Sequence, residues 1–220
     1  MEKMLTYIDI YCERTDAGLL AEPLNLFSNL AFFAAAFATY RLIPNSDKGI
    51  SLIQKKAQLA LAGIIFSVAV GSSLFHAFAN YLTQLLDVIP IGIMVFYALA
   101  YFVFFVLKQT ISRVLLCWGI MIALCFITSL ALDPFLWNGS QTYFGILISL
   151  FLLHIPQKKL DPDSFSILWS AGCFSVSLFF RTIDQHLCPS WPLGTHFLWH
   201  LCNGLTIYLM ARSCLCKKQG

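Results

Sequence analysis

The sequence predicts an all-α integral membrane protein, a single domain of seven transmembrane helices with its N-terminus outside and its C-terminus in the cytoplasm. Three observations carry that expectation. Hydrophobic residues make up 59% of the 220 residues and charged residues 11%, whereas a soluble domain carries about 25% charged residues. The apolar residues gather into seven runs of about 20, the length that crosses a bilayer core as a helix. Finally, the basic residues are distributed unevenly between the two ends of those runs.

Taken in order, residues 1–22 form a polar outer cap. They carry Glu2, Asp9, Glu13, Asp16 and Glu22 and lack the basic start and apolar centre of a cleavable signal peptide. The apolar runs follow at 24–43, 57–78, 85–107, 114–132, 137–155, 165–183 and 195–214, leaving 215–220 as a cytoplasmic tail. Asn138, Ser140, Gln141 and Thr142 crowd the start of the fifth run. Backbone groups in a bilayer must pair within their own segment, so the runs are read as helices.

Lys and Arg in short loops stay preferentially on the cytoplasmic side. Arg41, Lys48, Lys55, Lys56, Lys108, Arg113, Lys158, Lys159, Arg212, Lys217 and Lys218 fall on one side of the seven runs; Lys3, Arg14 and Arg181 fall on the other. This asymmetry sets the orientation, and it accounts for the net charge of +3 without a nucleic-acid partner. No second domain and no Gly-rich phosphate loop on a strand is evident.

Within these apolar runs stand polar residues at helical spacing. Ser72 and His76 are four apart, as are His196 and His200, so each pair projects from one helix face. Ionisable groups are expensive in hydrocarbon and mark functional sites. In the expected orientation the second run ends outside and the third and seventh start there. His76, Ser72, Asp87, His196 and His200 therefore share the outer layer of the membrane. Three neutral imidazoles suit zinc with an open fourth position. Zinc lowers the pKa of a bound water to about 7, Asp87 could accept its proton, and Ser72 could donate to a developing oxyanion. A purely structural reading, hydrogen-bonded contacts between helices, applies better to a lone histidine. His154 and His186 lie outside this layer and are left out of the site. A transporter would spread polar groups through both leaflets, which this sequence does not do.

The run GSSLFHAFANYLTQLLD at 71–87, with HFLWH at 196–200 and DIYCER at 9–14, resembles the alkaline ceramidase family, whose wider superfamily includes the progestin and adiponectin receptors. The resemblance covers most of the chain. It implies His76, His196 and His200 as zinc ligands, with Ser72 and Asp87 beside a zinc-bound water. The implied reaction is hydrolysis of the amide bond of ceramide or a related N-acyl lipid to a sphingoid base and a fatty acid. The alternative within that superfamily is a receptor-like protein with a structural zinc.

The resemblance also bears on the cap. Family members with a calcium site use acidic and amide groups just before the first span, so Asp9, Glu13, Asp16, Glu22 and Asn25 could supply oxygen ligands. The spacing departs from the family pattern, however, and a solvated acidic cap with Glu22 and Pro23 opening a helix fits equally. Cys12 and Cys188 alone fall in outer segments, where an oxidising compartment allows a disulfide, and the resemblance supports that link. Cys117, Cys125, Cys173 and Cys202 read as small apolar residues within spans, and Cys214 and Cys216 lie at the cytoplasmic end. Asn25, Ser28 and Asn29 form a polar stripe directed at other helices, and Arg181 and Asp184 are expected to pair. The expected partner is a membrane lipid with a long acyl chain, entering from the bilayer or its outer interface. No protein partner is evident. A bacterial inner membrane and an endoplasmic reticulum or Golgi membrane fit equally.

Overall fold

The structure, a computed structural model, describes residues 2–44, 50–162 and 164–215. Lys48, Cys216, Lys217 and Lys218, with the rest of the tail beyond Leu215, lie outside the described residues. Those described form helices and no strand, apart from an isolated bridge between Tyr7 and Asn80. The first apolar run holds α1 (Pro23–Ser28) and α2 (Leu30–Leu42). Then follow α3 (Leu52–Phe78), α4 (Tyr81–Tyr101), α5 (Ile111–Ala131), α6 (Phe144–Leu160), α7 (Ser166–Leu187) and α8 (His196–Leu215). Helix α4 runs on into a π-helical turn, Phe102–Val106. Among the described residues four helices are long and apolar enough to cross a membrane: α3, α4 with its π turn, α5 and α7.

Local chemistry explains where the helices depart from the expected boundaries. Helix α3 starts five residues before the apolar run because the Ser51 side chain accepts from the Gln54 amide, satisfying one orphan donor of the first turn. Helix α4 likewise starts at Tyr81 because Asn80 and Thr83 form a capping box. In contrast, α6 starts at Phe144, seven residues inside the expected 137–155, and continues to Leu160. The delay arises where Asn138 and Gly139 take positive φ values of 46° and 72°, ending any helix there. The Asn138 amide donates instead to the Arg181 carbonyl at 2.9 Å.

The helices close a ring. Helix α2 packs on α3, α3 on α4, α4 on α5, α5 on α6, α6 on α7, α7 on α8, and α8 back on α2. The outer faces carry exposed Phe37, Leu116, Phe126, Leu130, Trp169 and Phe179, while Asn25, Asn29, Thr39, Gln58, Ser170 and Ser177 are buried inside. Apolar outside and polar inside is the distribution of a membrane protein, in which lipid is the solvent.

Two glycines set distances that matter for the site. At Gly71 a Cβ would stand 1.9 Å from the Leu86 carbonyl oxygen, so α3 and α4 touch backbone to backbone and bring Ser72 beside Asp87. Gly194 has a φ of 60°, and a Cβ there would meet the Asp184 carboxylate at 2.3 Å, so only glycine fits the turn that leads into α8.

Candidate metal centre

The C-terminal end of α3, the start of α4, the end of α7 and the start of α8 meet at one end of the bundle, under residues 7–22. Ile8 donates its amide to the Ala79 carbonyl at 2.8 Å. The Cys12–Cys188 disulfide, with Cα atoms 5.2 Å apart, ties this cap to the loop after α7. Asp184 fixes the geometry further. Its buried carboxylate accepts from the amides of Thr195 at 2.6 Å, His196 at 3.0 Å and Cys12 at 3.4 Å. It thereby caps the positive end of α8. The expected Asp184–Arg181 pair is replaced by these contacts. The Arg181 guanidinium instead stacks 5.4 Å from the Tyr143 ring and 5.6 Å from the Trp199 ring.

His76 from α3 and His196 and His200 from α8 converge in this layer. Their ring centroids are 5.3, 4.7 and 4.6 Å apart, taking His76–His196, His76–His200 and His196–His200 in turn. All three are buried, and one ligand atom from each lies within 4.8 Å of the others. Among the described residues this is the one such grouping of His, Cys, Asp or Glu. His76 Nε2 and His196 Nδ1 are shut off from solvent with no hydrogen-bond partner. Orphaned buried imidazole nitrogens are costly, and a metal ion that accepts their lone pairs removes that cost. The residues thus fit a metal.

The opposite ring atoms are held. His76 Nδ1 lies 2.6 Å from a Glu22 carboxylate oxygen. His200 Nδ1 lies 2.7 Å from the Ser28 hydroxyl and 3.1 Å from the Asn25 carbonyl. Such partners orient ligating imidazoles and fix their tautomer. The polar stripe of the first apolar run accordingly faces α8, with Asn29 turned back on the Asn25 carbonyl at 2.9 Å. Tyr11 covers the cluster from outside, stacked on His196 at 3.7 Å between ring centroids. Burial pushes its phenol above the usual range.

Ser72, Asp87, His196 and His200 line one cavity of about 180 Å³. Its other walls are mainly apolar, with Val68, Met94, Leu150, Phe174, Ile207 and Met210, and carry Ser170, Asn203 and Thr206 among them. Asp87 Oδ1 is buried without a hydrogen-bond partner. Leu99, Ser149 and Leu153 also line a second cavity of about 490 Å³ between α4, α5 and α6. His154 and His186 stand apart from the three histidines, His186 bonding the Leu136 carbonyl at 3.1 Å.

Of the oxygens considered for calcium, Asn25 Oδ1 is buried without a hydrogen-bond partner. Asp9 is exposed. Asp16 Oδ1 accepts from the Gly18 amide at 2.5 Å. Glu13 accepts from the amides of Leu24 at 2.6 Å and Asn25 at 2.8 Å, although burial pushes its carboxyl upward overall. Glu22 binds His76, the Asn25 side chain at 2.9 Å and the Arg14 guanidinium. Burial pushes the Glu22 carboxyl up, but the His76 and Arg14 contacts outweigh it and hold the group below its ordinary range.

Missed by sequence reasoning were Tyr11, Asp184 and the use of Glu22 as the acceptor for His76. Only the position of an acid at 184, next to the expected run 165–183, offered a signal, since an ionisable group beside hydrocarbon needs partners.

A ring of apolar helices enclosing a buried three-histidine cluster, with a buried carboxylate nearby that has one unpartnered oxygen, defines a membrane protein with a candidate metal centre. Comparison with known proteins carries this further: the Ceramidase family model matches residues 10–218, and the chain belongs to that family. It is also 22% identical over 252 aligned residues, covering 94% of this chain and 85% of the relative, to a Dictyostelium discoideum protein named "Putative alkaline ceramidase dcd3A".

Proposed function

We propose that the protein is a zinc-dependent intramembrane amidohydrolase that cleaves the amide bond of ceramide or a related N-acyl lipid. The observation that carries this reading is the convergence of His76, His196 and His200, of which His196 and His200 line a mainly apolar cavity together with Ser72 and Asp87. The three imidazoles would hold zinc. Bound there, zinc supplies Lewis-acid polarisation of the amide carbonyl and brings a water's pKa to about 7.

The chain's own groups do the rest. Asp87 accepts a proton from the attacking water and returns it to the amide nitrogen as the C–N bond breaks, the switch from base to acid that amide hydrolysis requires. Ser72 donates a hydrogen bond to the oxyanion that develops on the attacked carbonyl. Tyr11 and the cap above the cluster limit entry of bulk water, which strengthens every polar contact inside. The apolar walls take the acyl chain, and Leu99, Ser149 and Leu153 lead it toward the second cavity. In this reading all seven helical runs span the bilayer, with the histidines in the outer layer and the basic loops in the cytoplasm.

Purified protein incubated with a panel of N-acyl sphingoid bases, N-acyl amino acids and lipid esters tests this by product detection. Release of fatty acid and free amine from the amides is expected, with Asp87→Asn keeping its zinc and losing about 100-fold or more in turnover. Zinc-loaded protein that releases no fatty acid from any member of the panel would contradict it, and wild-type turnover in Asp87→Asn would remove that residue from the chemistry.

A further inference from the structure

The most heavily bonded side chain of the cap belongs to a residue outside every role assigned above. Arg14 has a side chain with no solvent exposure. Its Nε donates to the Glu22 carboxylate, its Nη1 to the carbonyls of Asp16 at 3.2 Å and Gly18 at 3.3 Å, and its Nη2 to the His76 carbonyl at 2.8 Å. A buried cation is costly unless its donors are satisfied, and here one carboxylate and three carbonyls surround it. That set of hard oxygens is what a divalent cation such as calcium would also seek, but the guanidinium already stands among them.

Two further features give Arg14 a purpose beyond neutralising an acid. The His76 carbonyl lies in the last turn of α3, which ends at Phe78. The carbonyls of a final turn lack intrahelical partners and favour positive charge. Meanwhile Glu22, held on one oxygen by Arg14, presents the other to His76 Nδ1 at 2.6 Å. Arg14 therefore grips His76 twice, through its backbone directly and through its ring by way of Glu22.

We infer that Arg14 is a built-in cation of the cap, occupying the place where a bound calcium ion would otherwise organise these oxygens, and that it acts as a positioning residue for His76. The oxygens that Arg14 holds, the Glu22 carboxylate and the Asp16, Gly18 and His76 carbonyls, are accordingly not available to calcium in this chain. The positioning role rests on the reading of His76 as a metal ligand; the absence of calcium binding does not. A lysine at the same place would supply charge without the planar fork that reaches four acceptors.

The test uses the whole protein in detergent, first with calcium alone. Wild type desalted from millimolar calcium is expected to retain no stoichiometric calcium, and its unfolding midpoint is expected not to move with added calcium. One calcium per chain, or a saturable rise in midpoint, overturns the inference. Zinc affinity, read by competition with a chromophoric chelator, tests the positioning role. Arg14→Ala should weaken zinc about 10- to 100-fold, as loss of an outer-shell partner does. Methylguanidinium should recover part of that loss, and Arg14→Lys should fall between. Arg14→Ala binding zinc as tightly as wild type overturns the positioning role. Should Arg14→Ala fail to fold, Arg14→Lys decides: wild-type zinc affinity in it overturns the role, and weakened zinc with unchanged helix content supports it. A wild type that binds neither zinc nor calcium refutes the zinc-dependent reading of the site while leaving the calcium inference standing.

Discussion

Replacing Gly71 with alanine is expected to drive α3 and α4 apart and to uncouple Ser72 from Asp87. The added Cβ would stand 1.9 Å from the Leu86 carbonyl oxygen and 2.7 Å from its carbonyl carbon, and ordinary contact begins at 3.4 Å. Both obstacles are backbone, so no side chain can swing away. The relaxation needed is 3.4 − 1.9 = 1.5 Å at the contact. A misplacement of about 1 Å at reacting groups can cost about 100-fold in rate, or about 2.7 kcal/mol in the barrier. Overpacking would cost a further 1–3 kcal/mol or so in stability. Helix α4 bears Asp87 but none of the three histidines, so movement of α4 should leave zinc in place. The natural control is Gly63→Ala on the same helix, where a Cβ meets nothing within 4 Å. Turnover of an N-acyl lipid would be measured alongside zinc content and the unfolding midpoint for both variants. Loss of about 100-fold in Gly71→Ala with zinc retained, and wild-type behaviour in Gly63→Ala, is the expected pattern. Full turnover in Gly71→Ala, or equal damage in the two variants, would refute the argument that this close approach sets the Ser72–Asp87 geometry.

Asp184→Ala should lower the unfolding midpoint and zinc retention together, because the buried amides of Thr195 and His196 lose their acceptor at about 1–3 kcal/mol per unsatisfied group; an unchanged midpoint would show that the start of α8 is held by other means. Ser28→Ala removes the hydroxyl 2.7 Å from His200 Nδ1 and should weaken zinc binding about 10- to 100-fold, measured by chelator competition. Undiminished affinity would leave Ser28 with no part in orienting the ring. Reduction of the Cys12–Cys188 bond, which closes a separation of 176 residues, should cost about 2–5 kcal/mol; the midpoint with and without reductant reads this, and equal midpoints would speak against it.

The pairs at 72/76 and 196/200 are legible in the sequence because a spacing of four fixes a helix face, and intramembrane polar groups stand out against apolar neighbours. The Cys12–Cys188 link was anticipated from compartment and resemblance, and the structure contains it. What stayed hidden depends on partners distant in sequence. Glu22 reads as a cap acid that could take calcium, yet it serves His76, 54 residues away. Asp184 reads as the helical neighbour of Arg181, but the amides of Thr195 and His196 at the start of α8 and of Cys12 in the cap offer better-placed donors than a guanidinium already stacked on Tyr143 and Trp199. Tyr11 has no periodic signature because it comes from an irregular segment. The late start of α6 turns on the backbone of Asn138 and Gly139, a conformational choice that an apolar run cannot report.

Elemental analysis of the purified protein and its histidine variants tests the central claim most directly. The account predicts about one zinc per chain in the wild type. That zinc should be lost in His76→Ala, His196→Ala and His200→Ala, and retained in His154→Ala and His186→Ala. Wild-type zinc and turnover in all three cluster variants would contradict it.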